Sequence, residues 1–174
     1  VFLDRDDTVI VDPGYISDPS MVRLIDGAAG AIASLAAAGY ATVIVTNQSG
    51  VARGMLTEET LERIHTELRR QLAVQGTAVD AIYYCPYHPE GSVSAYCRDS
   101  DLRKPSPGML LAAAKDLSLD LAQSWMVGDS RRDIEAGRRA GCRTVLVGAK
   151  DDPDAGADFR AADLAGAARL ILGR

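Results

Sequence analysis

Asp4 and Asp6 stand two residues apart at the end of an apolar run, Val1-Phe2-Leu3, and Thr8 and the apolar pair Val9-Ile10 follow. A short apolar run reads as a buried strand. The pleat sends residues i and i+2 to the same side, so both carboxylates can face one ligand. Two carboxylates that close repel each other unless a cation or a shared proton relieves them. The pair therefore fits a metal site or an acid/base pair with divided roles. The simpler alternative is an acidic turn after a strand.

Three further polar clusters repeat the pattern. Thr46 and Asn47 follow an apolar segment, Arg103 and Lys104 precede a helix signal at Pro107-Gly108-Met109, and Asp129, with Asp133 after it, follows another apolar segment. In a parallel sheet the carboxyl ends of the strands converge on one edge, where open α/β sheets bind ligands. Two pairs of carboxylates, a hydroxyl and an ammonium brought to that edge are far more specific than any one of them.

The elements that must position these residues can be read from periodicity and punctuation. Strands are expected at residues 1–3, Tyr40–Val45, Ala81–Tyr84, Ser124–Val127 and Arg143–Val147. Val11–Ser20 reads as a polar loop, with turn signals at Pro13-Gly14 and Asp18-Pro19. Ala28–Ala38 is Ala/Leu-rich and stops at Gly39, a helix C-terminal signature. Residues 46–54 read as loop. Thr57 is an N-cap candidate, and Leu61, Ile64, Leu68 and Leu72 continue at helical spacing. A helix after Pro107 carries Leu110, Leu111, Ala114 and Leu117; another spans Asp133–Ala140 and closes at Gly141. Asp151–Asp158 reads as loop and Asp163–Leu172 as a last helix. Alternating strands and helices predict an α/β fold with a doubly wound parallel sheet. One domain over residues 1–174 is expected, with the irregular stretch 85–104 as a loop insertion over the site rather than a cap domain. His65 is expected as a partly exposed helix residue, Trp125 as core and Cys142 as a small buried hydrophobe.

Composition narrows the classes of function. The chain has 174 residues, 47% hydrophobic and 25% charged, with a net charge of −5, ordinary for a soluble globular protein. The acidic balance argues against nucleic acid or an anionic membrane as a main partner. No apolar run reaches the roughly 18 residues of a membrane span. Three cysteines make no disulfide framework, which fits a reducing cytoplasm. Val1 falls inside the expected first strand, so a few residues are expected upstream. A monomer acting on a small soluble substrate is expected.

The order and wording of the clusters resemble the haloacid dehalogenase superfamily of phosphotransferases, over nearly the whole chain. Asp4-Arg5-Asp6 fits its first motif, Val45-Thr46-Asn47 its second, Lys104-Pro105 its third, and Gly128-Asp129 with Asp133 its fourth. Within it the chain is most similar to the heptose bisphosphate phosphatases, with histidinol-phosphate phosphatases as a sister group. The words that carry this are Thr46-Asn47-Gln48-Ser49-Gly50-Val51-Ala52-Arg53-Gly54, Cys85-Pro86 and Arg103-Lys104-Pro105-Ser106-Pro107-Gly108-Met109.

The resemblance implies a Mg²⁺-dependent Rossmann-like phosphatase that removes the C7 phosphate of a heptose 1,7-bisphosphate, on the route to nucleotide-activated heptose and lipopolysaccharide. It implies Asp4 as nucleophile, forming an aspartyl-phosphate, and Asp6 as acid and then base. Lys104 would neutralise Asp4 and the transferring group. The Thr46 hydroxyl and the Asn47 backbone N–H would bind phosphoryl oxygens. The Asp4 carboxylate, the Asp6 backbone carbonyl and Asp129 would hold Mg²⁺, an oxygen-ligand ion. Asp133 would order Lys104 or a metal-bound water, or act only as a helix N-terminal acid. Arg53 and Arg103 would bind a distal phosphate, for which the guanidinium fork is suited, and Gln48 the sugar hydroxyls.

Two departures from the family pattern stand out. Asp7 occupies a position usually held by Gly; Asp tolerates left-handed backbone better than most residues, so the turn is expected to survive. Some relatives carry zinc in the long loop, but three of the four ligand positions are here Tyr87, Ser100 and Leu102, so zinc is not expected. Two other functions stay open at this point: a histidinol-phosphate or other small-metabolite phosphatase, and a non-catalytic phosphate-binding or phospho-acceptor protein.

Overall fold

The computed structural model describes residues 1–148 and 155–174. Among them six parallel strands form one sheet in the order β3-β2-β1-β4-β5-β6. These are β1 (Phe2–Leu3), β2 (Val43–Asn47), β3 (Ala81–Cys85), β4 (Trp125–Gly128), β5 (Arg143–Val147) and β6 (Phe159–Ala161). The helices are α1 (Ala28–Ala37), α2 (Ser49–Ala52), α3 (Glu58–Val74), α4 (Gly108–Asp116), α5 (Arg131–Ala140) and α6 (Leu164–Ile171). From β1 the chain builds outward through β2 and β3, then returns to the other side of β1 with β4. Strand order thus reverses at β1, the place where a doubly wound sheet opens a crevice at its carboxyl edge.

Period-two alternation divides the strand residues between two cores. Leu3, Ile44, Val127 and Val145 pack on one face with Ile32 and Leu35 of α1, Leu61, Ile64, Leu68 and Leu72 of α3, and Leu164 and Ile171 of α6. Phe2, Val43, Val45 and Met126 pack on the other with Met109, Leu110 and Ala113 of α4 and Ala136 and Ala140 of α5. With both faces covered, the central strands β1, β2 and β4 have no polar side, which is why they read as continuous apolar runs. Trp125 and Cys142 lie in these cores as expected.

The boundaries differ from the expected ones in instructive places. β2 runs on through Thr46 and Asn47, because these residues pair with Tyr84 and Cys85 of β3. Of the residues expected as loop after Val45, Thr46 and Asn47 stand on the strand and Ser49–Ala52 on the short helix α2. β6 has no apolar run to announce it: two of its three residues are exposed, and only pairing with β5 defines it. α5 starts two residues before Asp133, at Arg131. Of the expected loop Asp151–Asp158, residues 151–154 lie outside the described residues. Residues 86–107 contain neither helix nor strand. No helix among the described residues is long and apolar enough to cross a membrane.

His65 requires a correction. It is buried, 1% exposed, not partly exposed. It lies one helical turn after Leu61 and one before Leu68, on the buried stripe of α3, and the side chain of Arg5 supplies a polar partner inside.

Candidate active site

A cavity of about 330 Å³ opens at the carboxyl edge of the sheet, lined by Asp4, Arg5, Asp6, Asp7 and Asp12 after β1, Asn47, Gln48 and Ser49 after β2, Lys104, and Asp129, Ser130, Arg132 and Asp133 after β4. The four clusters of the sequence therefore converge on one place.

Lys104 is the electrostatic centre. Its ammonium donates to Asp4 Oδ1 at 2.5 Å and to the Val45 carbonyl at 2.8 Å, and it pairs with Asp133 Oδ1 at 2.7 Å. Burial would lower the Lys104 pKa, but the charges of Asp133 and Asp4 outweigh it and raise it, so Lys104 stays a cation. Asp4 is pushed up, by burial first, against the pull of Lys104 and with help from Asp133 and Asp6. Asn47 fixes the lysine's backbone: its Nδ2 donates to Lys104 O at 2.9 Å and its Oδ1 accepts from Lys104 N at 3.0 Å. The peptide between Lys104 and Pro105 is cis.

Asp133 is held from the other side as well. Its Oδ2 accepts from the Ser130 N–H at 3.1 Å and the Ser130 hydroxyl at 2.5 Å, closing the first turn of α5. Gly128 allows this approach, since a Cβ there would stand 2.4 Å from Asp133 Cβ. Asp133 Oδ1 is buried and has the Lys104 ammonium as its partner. One carboxylate oxygen from each of Asp4, Asp129 and Asp133 lies within 4.8 Å of the others. Three converging carboxylates are the oxygen donor set that fits a hard divalent cation.

Asp6 is half-buried and turned toward neighbouring donors. Its carboxylate accepts from Arg5 Nε at 2.9 Å, Arg5 Nη2 at 3.2 Å and Gln48 Nε2 at 3.0 Å. Gln48 also donates to Thr46 Oγ1 at 2.8 Å. It is thus no solvated loop residue; it ties the second cluster to the first. The Thr46 side chain is fully buried and, contrary to expectation, does not line the cavity.

Arg53 and Arg103 stand outside the cavity lining. Arg53 lies 3.4 Å from His88 Nε2, and Arg103 donates to the Tyr87 carbonyl at 3.5 Å. Burial first, then the like charges of Arg132 and Arg53, hold Arg103 below its ordinary pKa, so the three guanidiniums share one neighbourhood. Arg132, from the first turn of α5, lines the cavity itself. Sequence reasoning missed it, although a run of two arginines between Ser130 and Asp133 was its signal. It also missed Arg5, one of the largest fully buried side chains.

Asp7 keeps the turn. It adopts φ 55°, its N–H donates to Ile10 O at 2.8 Å, and its Oδ1 accepts from Asp12 N at 3.1 Å. The irregular stretch beyond β3 is tied down by side chains. Tyr96 and Tyr84 donate to the two oxygens of Glu58 at 2.6 and 3.0 Å, and Arg98 stacks over the Tyr87 ring at 4.0 Å. Tyr83 instead bonds Asp116 of α4. Cys85 is buried, and Cys97, exposed, contacts the Pro89 carbonyl.

Residues 101–167 match the HAD-hydrolase-like family model. The chain is 45% identical over 147 residues to a D-glycero-beta-D-manno-heptose-1,7-bisphosphate 7-phosphatase of Yersinia pestis, covering 84% of this chain and 78% of the relative. The chain belongs to the haloacid dehalogenase superfamily. A crystal structure of D,D-heptose 1,7-bisphosphate phosphatase from B. bronchiseptica, complexed with magnesium and phosphate, superimposes with a TM-score of 0.86 at 35% identity, over 99% of this chain and 97% of the other. A HAD-like phosphatase from Mesorhizobium loti gives a TM-score of 0.85 at 38% identity, over 98% of this chain and 85% of the other. This member of the superfamily is a phosphoric monoester hydrolase, which replaces the phospho-acceptor alternative.

Proposed function

We propose that this phosphatase removes the C7 phosphate of D-glycero-D-manno-heptose 1,7-bisphosphate, with the β anomer as first choice, through an aspartyl-phosphate on Asp4. The observation that carries the chemistry is the buried Asp4 beside Lys104, with Asp129 and Asp133 converging on it. The observation that carries the substrate is the identity to relatives named for it.

Phosphate monoesters hydrolyse extremely slowly in water. A carboxylate approaching a phosphate dianion also meets like charge, which the site must offset. Lys104 supplies one positive charge next to Asp4. Mg²⁺ would supply the rest: Asp4 and Asp129 would hold it, with the Asp6 carbonyl, while Asp133 supports it and fixes Lys104. The Asp4 carboxylate forms the new bond to phosphorus as the bond to the C7 oxygen breaks. Asp6 gives its proton to that leaving oxygen, then takes one from the water that attacks the phosphoenzyme. Phosphate leaves and Asp4 is regenerated. The Asn47 backbone binds phosphoryl oxygens, Gln48 reaches the sugar, and the buried Thr46 hydroxyl supports both by holding Gln48. Arg53, Arg103 and Arg132 form a cationic rim for the second phosphate. The 85–104 segment is a loop insertion on a single domain, roofing the site without zinc. The enzyme acts as a monomer in the cytoplasm on a soluble sugar phosphate.

Phosphate release in Mg²⁺, with and without EDTA, tests this on both anomers of the heptose bisphosphate, fructose 1,6-bisphosphate and histidinol phosphate. A preference of about tenfold or more (~1.4 kcal/mol) for a heptose bisphosphate, abolished by EDTA, is expected. A flat profile overturns the substrate, and EDTA-insensitive release overturns the metal.

A further inference from the structure

We infer that Arg5 and His65 are positioning residues that set the direction of the Asp6 carboxylate, linking helix α3 to the reacting end of the site. This rests on the reading of Asp6 as the group that moves protons.

Arg5 is 1% exposed, and burying a guanidinium is costly unless its donors are satisfied and its charge is paired. Its partners are few and specific. Two of its nitrogens, Nε and Nη2, grip the two oxygens of Asp6 at 2.9 and 3.2 Å. The third, Nη1, lies 3.3 Å from His65 Nε2. Arginine has five N–H donors and no acceptor, so His65 Nε2 must accept, with its ring neutral and the proton on Nδ1. Burial and the Arg5 charge favour that neutral form.

The two ends of the guanidinium then have separate tasks. The planar fork fixes both oxygens of a carboxylate, which a single ammonium cannot do. The histidine fixes the plane of the fork, and the Tyr84 ring packs beside it with centroids 5.7 Å apart. The chain leaves β1 and bends at Arg5, so the buried guanidinium folds back onto the Asp6 carboxylate, and Asp6 itself lines the cavity. A simple stability role does not require this arrangement: a buried charge next to an apolar stripe is commonly no more stabilising than an apolar pair of the same volume.

The test compares His65→Gln, His65→Asn and Arg5→Lys with the unaltered enzyme and with Asp6→Asn. Steady-state rates, the lifetime of the phosphoenzyme after acid quenching, and thermal midpoints are read. The Gln amide reaches the position of the imidazole Nε2 and keeps the acceptor; the shorter Asn does not. His65→Asn and Arg5→Lys are expected to lower kcat by about 10- to 100-fold, the cost of misplacing a reacting group by about 1 Å, and to lengthen phosphoenzyme lifetime. KM should stay within about twofold, as for an interaction made only in the transition state. His65→Gln is expected to recover most of the rate. If His65→Asn and Arg5→Lys turn over normally while Asp6→Asn does not, the positioning role is overturned and the reading of Asp6 stands. If Gln and Asn lose rate equally, the hydrogen bond to Arg5 is overturned as the cause. If Asp6→Asn itself is unimpaired, the reading of Asp6 fails, and this inference with it.

Discussion

Lys104 and Asp133 meet at 2.7 Å, and each side chain is only 1% exposed. The pair joins the segment before α4 to the first turn of α5, on either side of Asp4. Removing one partner of a buried ion pair commonly costs about 3–5 kcal/mol, because the other charge is left behind. Lys104 would keep Asp4, so Asp133→Ala is expected near the low end, about 3 kcal/mol in urea unfolding. Asp133→Asn keeps an acceptor for Ser130 and should lose about 1 kcal/mol less, the worth of a helix cap. Equal losses in the two variants would show that the cap contributes nothing.

Gly128→Ala probes the same carboxylate without touching it. The added methyl would stand 2.4 Å from Asp133 Cβ and 2.7 Å from Oδ2, so Asp133 must move. Overpacking of this kind costs about 1–3 kcal/mol. Mg²⁺ binding, followed by titration calorimetry, should weaken alongside stability. Unchanged metal affinity would separate Asp133 from the cation site.

Much of this arrangement was legible before any coordinates. The strand ends carrying Asp4, Thr46 and Asp129 are marked by apolar runs that stop at polar residues, because strands covered on both faces have no polar side. What the sequence could not reveal were partners distant along the chain. Asn47 bracketing the Lys104 backbone, Gln48 bridging Asp6 and Thr46, and Arg5 reaching His65 across 60 residues all depend on packing. His65 did carry a readable signal: it sits between Leu61 and Leu68 on the buried stripe of α3. A histidine there is usually taken as an exception until a buried partner is known. β6 was invisible because pairing, not apolarity, defines it.

Asp7 stands in left-handed backbone with φ 55°, where an L-residue pays about 1–2 kcal/mol unless its side chain bonds locally. The bond from Asp12 N to Asp7 Oδ1 is such a contact. Asp7→Ala keeps the strain and removes the bond, so a loss of about 1 kcal/mol in thermal or urea unfolding is expected. Asp7→Gly relieves the strain but loosens the unfolded chain, so little net change is expected. A more stable Ala variant would contradict the turn described here.

Glu58 joins three parts of the chain: its own helix α3, Tyr84 on β3, and Tyr96 in the 86–107 stretch. Burial and the Glu58 charge raise the Tyr84 pKa to about 12, so the phenol remains a donor at neutral pH. Hydrogen bonds to a charged group are worth about 1.5–3 kcal/mol when buried and less when part-exposed, as here. Tyr96→Phe is expected to speed limited proteolysis within 86–107, while Tyr84→Phe, on a strand, leaves that cleavage near its original rate. Equal protection in all three proteins would mean that the other contacts of the stretch suffice.

His65 should leave a signature in acid. Burial first, then the charges of Arg5 and Arg69, lower its pKa to about 3 from 6.5; Glu62, 3.7 Å from Nδ1, opposes this only weakly from an exposed position, and Tyr84 faces the ring without charge near neutral pH. Between those two values the unfolded chain binds a proton at this histidine and the folded protein does not. Stability therefore falls as pH falls, by at most about 1.4 kcal/mol per pH unit from this one group, and the contribution is constant above about pH 6.5. Urea unfolding of the parent and His65→Gln at pH 7.0, 5.5 and 4.5 isolates it. The parent should lose stability more steeply than the variant, which has no titrating group at that site. Parallel slopes would mean that His65 keeps an ordinary pKa and takes up a proton in the folded protein below about pH 6.5, where it can no longer accept from Arg5.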